Sequence, residues 1–506
     1  MKYKPGLSQV KVGFGIDILW LFVILAGAMF ITSLIPLVPN DFWWHLKIGE
    51  WIYTHRTIPT TNLFAWTLPA DTPYYYGTWL GELLLYLLYR LGGLELTMFT
   101  RTMLFGITFW LVGYEARRRS GSWRIAAFIV ALATVMTLSN VHVRTQIWSW
   151  VPFIIYLILL SRFTDHQLPR AWLFILPLLM VFWVNAHGAF ILGLVLVGIY
   201  VLGELLRTLL KLPAALHIKD LLWLALIAVL TGLATIINPR FLGIAQYVID
   251  LMTDRPSQQL VIEWQSPSPQ GLVNITFFVS ILILLVCLAY TKRKLTPTTM
   301  LTVIAFVWLA WSGVRYIVWY GIAVMPILAQ VIADLPLKVP SFAPQRSLRN
   351  VFIALVLLIP VLLVQPWFVE KFPLPDTYWK QVVRHAPEGP LLDISTPIDA
   401  VEYLKSHPGG NLFNEMGYGS YMIWAIPEQA VFIDPRVELY PYEQWQDYIR
   451  ITRGVDYDRI LEQYVVNRLL LSKADQPDLI KLLATDPKWQ MEYEDQYAEI
   501  WARMDP

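Results

Sequence analysis

Long apolar runs recur through the first three quarters of this chain and then stop. A helix rising about 1.5 Å per residue needs ~20 apolar residues to cross a bilayer, and residues 17–38 supply the first such run. The pattern predicts further spans over 94–115, 123–139, 147–162, 171–184, 189–210, 220–236, 272–291, 297–313, 316–335 and 350–368, about 11 in all. Between the first two, residues 41–55 and 77–91 mix apolar positions with charges and aromatic rings. Their apolar runs are short for a span, so they are read as helices lying along the surface inside one long loop, 39–93.

Beyond residue 368 the pattern changes period. Strand-like runs at 411–415, 420–426, 430–434, 466–472 and 494–502 alternate with amphipathic helices. One helix starts at Thr396-Pro397, with a hydroxyl N-cap and Pro at N1, and others fall near 442–452 and 477–485. The prediction is an all-α polytopic membrane bundle over 1–368, followed by a C-terminal soluble α/β domain over 369–506 that is long enough to hold its own core.

Composition agrees with this division. The chain is 56% hydrophobic and 15% charged, which excludes an ordinary globular core. Two-thirds of the 39 Lys and Arg precede residue 369, whereas most of the 37 Asp and Glu follow it. With 41–55 and 77–91 on the surface, Arg117-Arg118-Arg119 with Arg124, Arg162 with Arg170, Lys211 with Lys219, Lys292-Arg293-Lys294, and Lys338 with Arg346 and Arg349 share the side of the N-terminus. That satisfies the positive-inside rule, and a span at 77–91 would break it. Lys2, Lys4 and Lys11 precede the first span and no small-residue cleavage site follows, so the N-terminus reads as a retained signal anchor on the cytoplasmic side. Cys287 is the only cysteine, so there is no internal disulfide and no zinc site. No Walker loop or dinucleotide fingerprint occurs, and the basic residues follow topology instead of forming a nucleic-acid stripe.

The same topology sorts polar residues from distant parts of the chain onto the other, outer face. Asp41, His45, Glu50, Glu82, Arg144, Gln146, Asn185, His187, Asn238, Arg240, Asp250, Glu263 and Arg315 all fall at or near it. Acids, Arg and His converging at one end of a helical bundle are what a site at the membrane surface requires.

An Asp directly after the first span, surface helices in the first outer loop, many further spans and a soluble tail together resemble the C-type glycosyltransferase superfamily (GT-C), which includes protein O-mannosyltransferases and the aminoarabinose transferases of lipid A. The segments Asp41-Phe-Trp-Trp-His-Leu-Lys-Ile-Gly-Glu50, Ile58-Pro59, Trp79-Leu-Gly-Glu82, Arg144-Thr-Gln146, Asn185-Ala-His187-Gly188, Asn238-Pro239 and Glu263-Trp264 are more particularly similar to bacterial membrane proteins of unassigned substrate associated with that superfamily. So are Gly417-Tyr-Gly-Ser-Tyr421 and Phe432-Ile-Asp-Pro-Arg436 in the tail.

The resemblance implies transfer of a sugar, with inversion, from a polyprenyl-phosphate donor to a protein, lipid or glycan acceptor. A base must take the acceptor proton while cations stabilise the departing phosphate. Asp41 is the candidate base, and a plain N-cap of the next helix is its alternative. His45, at i+4 from Asp41, and Glu82 are candidates to assist it. Arg144, Arg240 and Arg315, with His187 and Asn185, are candidates for the donor phosphate, although Arg at a span end also snorkels to lipid headgroups. Trp43, Trp44, Trp79 and Glu263 are candidate acceptor or sugar contacts, and Trp equally serves as an interfacial anchor. No HExxH or CxxC motif marks a metal site; since some superfamily members use a divalent cation, Mg or Mn is the one cofactor the resemblance allows. The competing readings are a transporter or flippase for lipid-linked glycans, suggested by Pro and Gly at span ends, and an oligosaccharide polymerase or ligase. The expected location is the bacterial cytoplasmic (inner) membrane, multi-pass, with the tail outside.

Overall fold

The computed structural model describes residues 15–292, 294–336, 348–384 and 391–504. Lys2, Lys4, Lys11, Arg293, Lys338 and Arg346, on which part of the charge argument rested, lie outside the described residues. The helices of the first part are α1 (Ile16–Ser33), α2 (Asp41–His55), α3 (Trp79–Ser120), α4 (Trp123–Thr137), α5 (Ile147–Thr164), α6 (Ile175–Ala186), α7 (Phe190–Leu209), α8 (Ile218–Ala234), α9 (Gly243–Thr253), α10 (Arg255–Leu260), α11 (Gly271–Tyr290), α12 (Pro297–Ser312), α13 (Ile317–Ala323), α14 (Met325–Ala333) and α15 (Leu348–Leu363). Among the described residues, six helices are long and apolar enough to cross a membrane, and the pair Val314–Ala323 and Met325–Ala333, bent by 44°, makes a seventh if it is one span. Arg170–Ala186, α12 and α15 are shorter apolar helices. Every predicted span falls on a helix or on this bent pair, while length and composition by themselves establish six or seven spans. The protein is a multi-pass membrane protein.

The predicted division between surface helix and span falls inside α3. Gly92 and Gly93 leave helical geometry there, Gly93 with φ +67, a region that favours glycine. The segment before this break packs on α2 and reaches the tail, where the Tyr89 ring meets Trp424 at 5.1 Å. The segment after it enters the bundle. There Arg101, fully buried, donates to Thr32 O in the last turn of α1 and to Ile35 O just beyond it.

The tail contains β1 (Val383–Arg384) and β2 (Leu392–Asp393), paired antiparallel, and a four-stranded sheet of β3 (Leu412–Asn414), β4 (Arg468–Ser472), β5 (Trp489–Glu494) and β6 (Ala498–Arg503). The order in that sheet is β3-β4-β6-β5, with β3 parallel to β4 and the other pairs antiparallel. Its helices are α16 (Asp376–Gln381), α17 (Ile398–Ser406), α18 (Met416–Ala425), α19 (Tyr442–Thr452), α20 (Tyr457–Gln463) and α21 (Pro477–Leu483). The α/β prediction therefore holds in outline, with three corrections. The helix expected to start at Thr396-Pro397 begins at Ile398 with Pro397 at its N-cap, and the Thr396 hydroxyl makes no capping bond. Residues 420–426, read as a strand, lie mostly in α18; seven of its residues are buried, so no alternating pattern reports its period. Residues 430–434 form only a single bridge, Val431 to Ala65.

That bridge belongs to a seam joining the tail to residues 37–66, which follow α1. Leu37 N donates to Leu391 O and Asp393 N to Leu37 O, both at 2.8 Å; Val431 N donates to Phe64 O at 2.9 Å and Trp66 N to Val431 O at 3.1 Å. Trp44 N donates to Ser420 Oγ at 3.2 Å, and Ser420 Oγ donates in turn to Asn40 O at 2.5 Å. Beneath the seam, Arg436 and Asp434 form a fully buried two-pronged pair at 2.8 and 2.6 Å, completed by the hydroxyls of Tyr440 and Tyr76. Removing one partner of such a pair leaves an uncompensated buried charge.

Arg436→Ala is therefore expected to cost about 3–5 kcal/mol of stability in the tail and its seam. It should lower the thermal midpoint of the purified protein and open residues 56–78 to limited proteolysis. Arg436→Lys should restore little, because an ammonium cannot reproduce the planar fork.

Candidate active site

Asp41 opens α2 at the turn where the chain leaves α1, and its carboxylate faces Arg144 across 3.6 Å. Arg144 comes from the connection between α4 and α5 and donates through the same Nη1 to Glu263 Oε2 at 2.8 Å. Glu263 lies in the one-turn helix Ile262–Trp264. The adjacent residue of that turn, Trp264, carries the guanidinium of Arg315 4.5 Å above its ring. Val314 N donates to Gln265 O at 3.0 Å and locks the two turns together. A single dipeptide thus holds two arginines, one by charge and one by its aromatic face.

Arg144 is far from saturated. Its side chain is 12% exposed, and its Nε and Nη2 have no hydrogen-bond partner among the described residues. Buried guanidinium N–H groups that face no acceptor are costly, and here they lie at the wall of a cavity. Burial pushes the Glu263 carboxyl up, but Arg144, followed by Arg315 and His142, outweighs it and leaves the group below the ordinary carboxylate range.

Two histidines flank this group. His187 Nδ1 accepts from Ala189 N at 3.1 Å and lies 3.0 Å from Ser149 Oγ, which itself accepts from Trp183 Nε1 at 2.8 Å. That pattern places the His187 proton on Nε2. Burial, and then the cations Arg315 and Arg144, hold its imidazole well below the usual histidine range, so it is neutral at pH 7. His45 lies 3.0 Å from Glu82 Oε1 through Nδ1, and Glu82 also accepts from Thr78 Oγ1 at 2.9 Å. Glu82 is fully buried and its Oε2 has no partner.

The remaining predicted residues are divided. Asn185 accepts from Trp79 Nε1 at 2.8 Å and donates to Val181 O and Ile237 O, which makes this pair a brace between α3, α6 and the end of α8. Arg240 stands elsewhere, its guanidinium 4.1 Å above Tyr75. Trp43 is 2% exposed, donates to Val38 O and meets the Tyr421 ring edge-on at 5.1 Å. It packs the seam and offers no face to a sugar. Trp44 is likewise buried, against His45 at 3.7 Å between ring centroids. Their pairing in sequence looked like a sugar platform because composition cannot distinguish a stacking face from a packed one.

A cavity of about 340 Å³ opens beside Asp41. One wall is Pro36 to Phe42 with His142, Arg144 and Glu263; the other belongs to the tail, through Ser395, Glu415, Tyr418 and Asp475. Sequence reasoning missed His142, which sits among apolar residues, and all of the tail contributions. Glu415 caps α18 by accepting Tyr418 N at 2.8 Å. Burial pushes its carboxyl up to about 7, against the backbone N–H groups that favour its charge. No cation site emerges: among the described residues no three His, Cys, Asp or Glu side chains are placed to share a metal ion, and Asp41 and Glu263 converge on Arg144 instead.

Because the folded Glu415 binds its proton more tightly than an exposed glutamate of about 4.5, the stability it contributes is present at low pH and lost as pH rises through about 7. The thermal midpoint of the wild type should fall between about pH 5 and 8 more steeply than that of Glu415→Gln, which keeps a capping oxygen without the titration. Parallel curves measured by differential scanning fluorimetry exclude this assignment.

No protein-family model matches the chain, and no curated protein matches it in sequence. Solved structures do. The chain is similar to the apo oligosaccharyltransferase of Archaeoglobus fulgidus, with a TM-score of 0.50 at 12% identity over 90% of this chain and 69% of that one. The same enzyme tethered to an acceptor peptide containing the NVT sequon gives 0.46 at 14% identity, over 96% and 74%. ArnT from Cupriavidus metallidurans bound to undecaprenyl phosphate gives 0.44 at 13% identity, over 96% and 97%. The chain shares its fold with the archaeal oligosaccharyltransferase.

Proposed function

We propose that this protein transfers a sugar from a polyprenyl-phosphate donor to an acceptor hydroxyl at the outer face of a bacterial cytoplasmic membrane. The observation that carries the reading is Arg144, which uses one nitrogen to engage Asp41 and Glu263 and leaves two buried donors free beside the cavity that Asp41 lines. A phosphate is the anion whose oxygens best suit a planar guanidinium fork in a poorly hydrated site. The shared fold with an oligosaccharyltransferase supports the reaction class.

In the proposed step the acceptor oxygen gives its proton to the Asp41 carboxylate and forms the new bond to the anomeric carbon. The bond from that carbon to the phosphate oxygen breaks, and its electron pair leaves with the carrier phosphate. Arg144 and Arg315 offset the charge that develops there. Neutral His187, with its proton on Nε2, is a hydrogen-bond donor on the same side. Glu82 and His45 hold the start of α2, and with it Asp41, against α3.

The orientation belongs to the same proposal: about 11 spans, the N-terminus inside, and a separate tail domain outside. With Cys287 replaced by Ala, an impermeant maleimide should label Asp71→Cys and Asp478→Cys from outside intact cells and leave Lys219→Cys unlabelled. Labelling of Lys219→Cys from outside overturns the shared outer face.

Purified protein in detergent, given a polyprenyl-phosphate sugar and an acceptor, should release free polyprenyl phosphate with no membrane gradient. Donor hydrolysis is scored alongside transfer. A flippase leaves the donor intact. Asp41 is the first residue of α2, with Asn40 at the N-cap and no side-chain capping bond, so the capping alternative does not hold. Asp41→Asn keeps the size but loses the basic site, so turnover should fall about 10²–10⁴-fold, or roughly 3–5 kcal/mol of barrier, while carrier binding survives. Near-normal turnover at matched thermal stability removes Asp41 from the mechanism.

A further inference from the structure

The segment between α8 and α11 contains α9, a helix that the hydropathy pattern did not announce. Its residues fall into three stripes. Ile244, Tyr247, Val248 and Leu251 face the protein, and the Tyr247 ring meets Tyr75 of the first loop at 4.6 Å. Gln246, Asp250 and Thr253 form an exposed polar stripe, with Gln246 Nε2 donating to Asp250 Oδ1 at 2.7 Å. Leu242, Ala245, Ile249 and Met252 form an exposed apolar stripe beside it, with Leu242 73% and Ile249 56% exposed.

A soluble helix with one packed face leaves its other faces polar. Here the exposed remainder is split lengthwise into apolar and polar halves, the pattern of a helix lying in the boundary between hydrocarbon and water. The chain leading into α9 supports this placement independently. Asn238 closes a turn by accepting from Arg240 N at 2.7 Å and donating to Phe241 O at 3.2 Å. Phe241 is thereby held at φ +51, an unfavourable region for a bulky residue, with its ring 67% exposed. Strain that turns an aromatic ring outward fits a ring embedded in lipid. On the N-terminal side the apolar surface continues along the chain to Ile237 at the end of α8, which is 59% exposed.

We infer that α9 is an interfacial helix whose Leu242–Ala245–Ile249–Met252 face, with Phe241, is seated in the outer leaflet of the bilayer. The occupant of this face is lipid and not a protein partner. Its opposite face packs on the protein through Tyr247 against Tyr75, whose ring also carries the guanidinium of Arg240. The inference does not depend on the proposed reaction.

Spin labels on single cysteines introduced as Leu242→Cys, Ala245→Cys, Gln246→Cys, Ile249→Cys, Asp250→Cys and Met252→Cys, in a Cys287→Ala background reconstituted into phospholipid vesicles, test it. The exposed positions tolerate the label, and collision with oxygen against a water-soluble nickel chelate reads the surroundings. The oxygen-to-nickel ratio is expected to be several-fold higher at 242, 245, 249 and 252 than at 246 and 250. High nickel accessibility at every position means that α9 lies in water and overturns the inference. Low accessibility to both reagents at the apolar stripe means that another protein surface covers it, which overturns it as well.

Discussion

Asp41 can face Arg144 only if the short connection from α1 to α2 is held still, and backbone hydrogen bonds from a part of the chain more than 300 residues away hold it. The carbonyl and amide of Leu37 are both used by the Leu391–Asp393 strand, and Asn40 O and Trp44 N converge on the one hydroxyl of Ser420. A connection of this kind, at the surface of a membrane bundle, has no helix or sheet of its own to satisfy it. The tail supplies that partner. Hydrogen bonds thus join the segment after α1 to the tail, and the cavity beside Asp41 has walls from both.

The seam also explains why buried charge is tolerated where it is. Asp434 and Arg436 are fully buried, yet each prong of the guanidinium meets a carboxylate oxygen, and Tyr440 and Tyr76 complete the set. Nothing there is left to bind a ligand. Arg144 is the opposite case, with two donors unused and a cavity in front of them. The two arginines thus differ in hydrogen-bond accounting: Arg436 is spent on its neighbours, whereas Arg144 keeps two nitrogens without a partner among the described residues.

Much of this architecture was legible because the bilayer imposes a length on its helices. The apolar runs read from hydropathy fall on helices, of which six or seven are long and apolar enough to cross a membrane. The short apolar run of 77–91 and the positive-inside rule put the division at residues 91–94, and the structure breaks α3 there at Gly92 and Gly93. The convergence of Asp41, Arg144, Glu263 and Arg315 followed from topology alone, since span ends on one side must share a plane. Pairings within that plane did not follow. Nothing in the spacing says that Glu263 takes Arg144 while Trp264 takes Arg315, or that Arg240 stacks on Tyr75 away from both. Periodicity failed where burial is complete, as in α18, and where three kinds of surface divide one short helix, as in α9.

The tail's contribution was the least legible part, and the reason is physical. Glu415 reads in sequence as a carboxylate before a glycine-rich helix start, and that capping role is real. Its second property, a carboxyl group raised to about 7 in a shared cavity, exists only because Pro36–Phe42 and the tail close over it. A group of this kind changes charge near neutrality, whereas the Asp434–Arg436 pair beneath the same seam has no unmet bond to exchange. The seam thus combines an invariant anchor with a titratable cap a few residues from Ser420, the hydroxyl that holds Asn40 and Trp44. The same helix therefore carries both the cap at Glu415 and the Ser420 hydroxyl that binds the backbone at Asn40 and Trp44, on either side of Asp41.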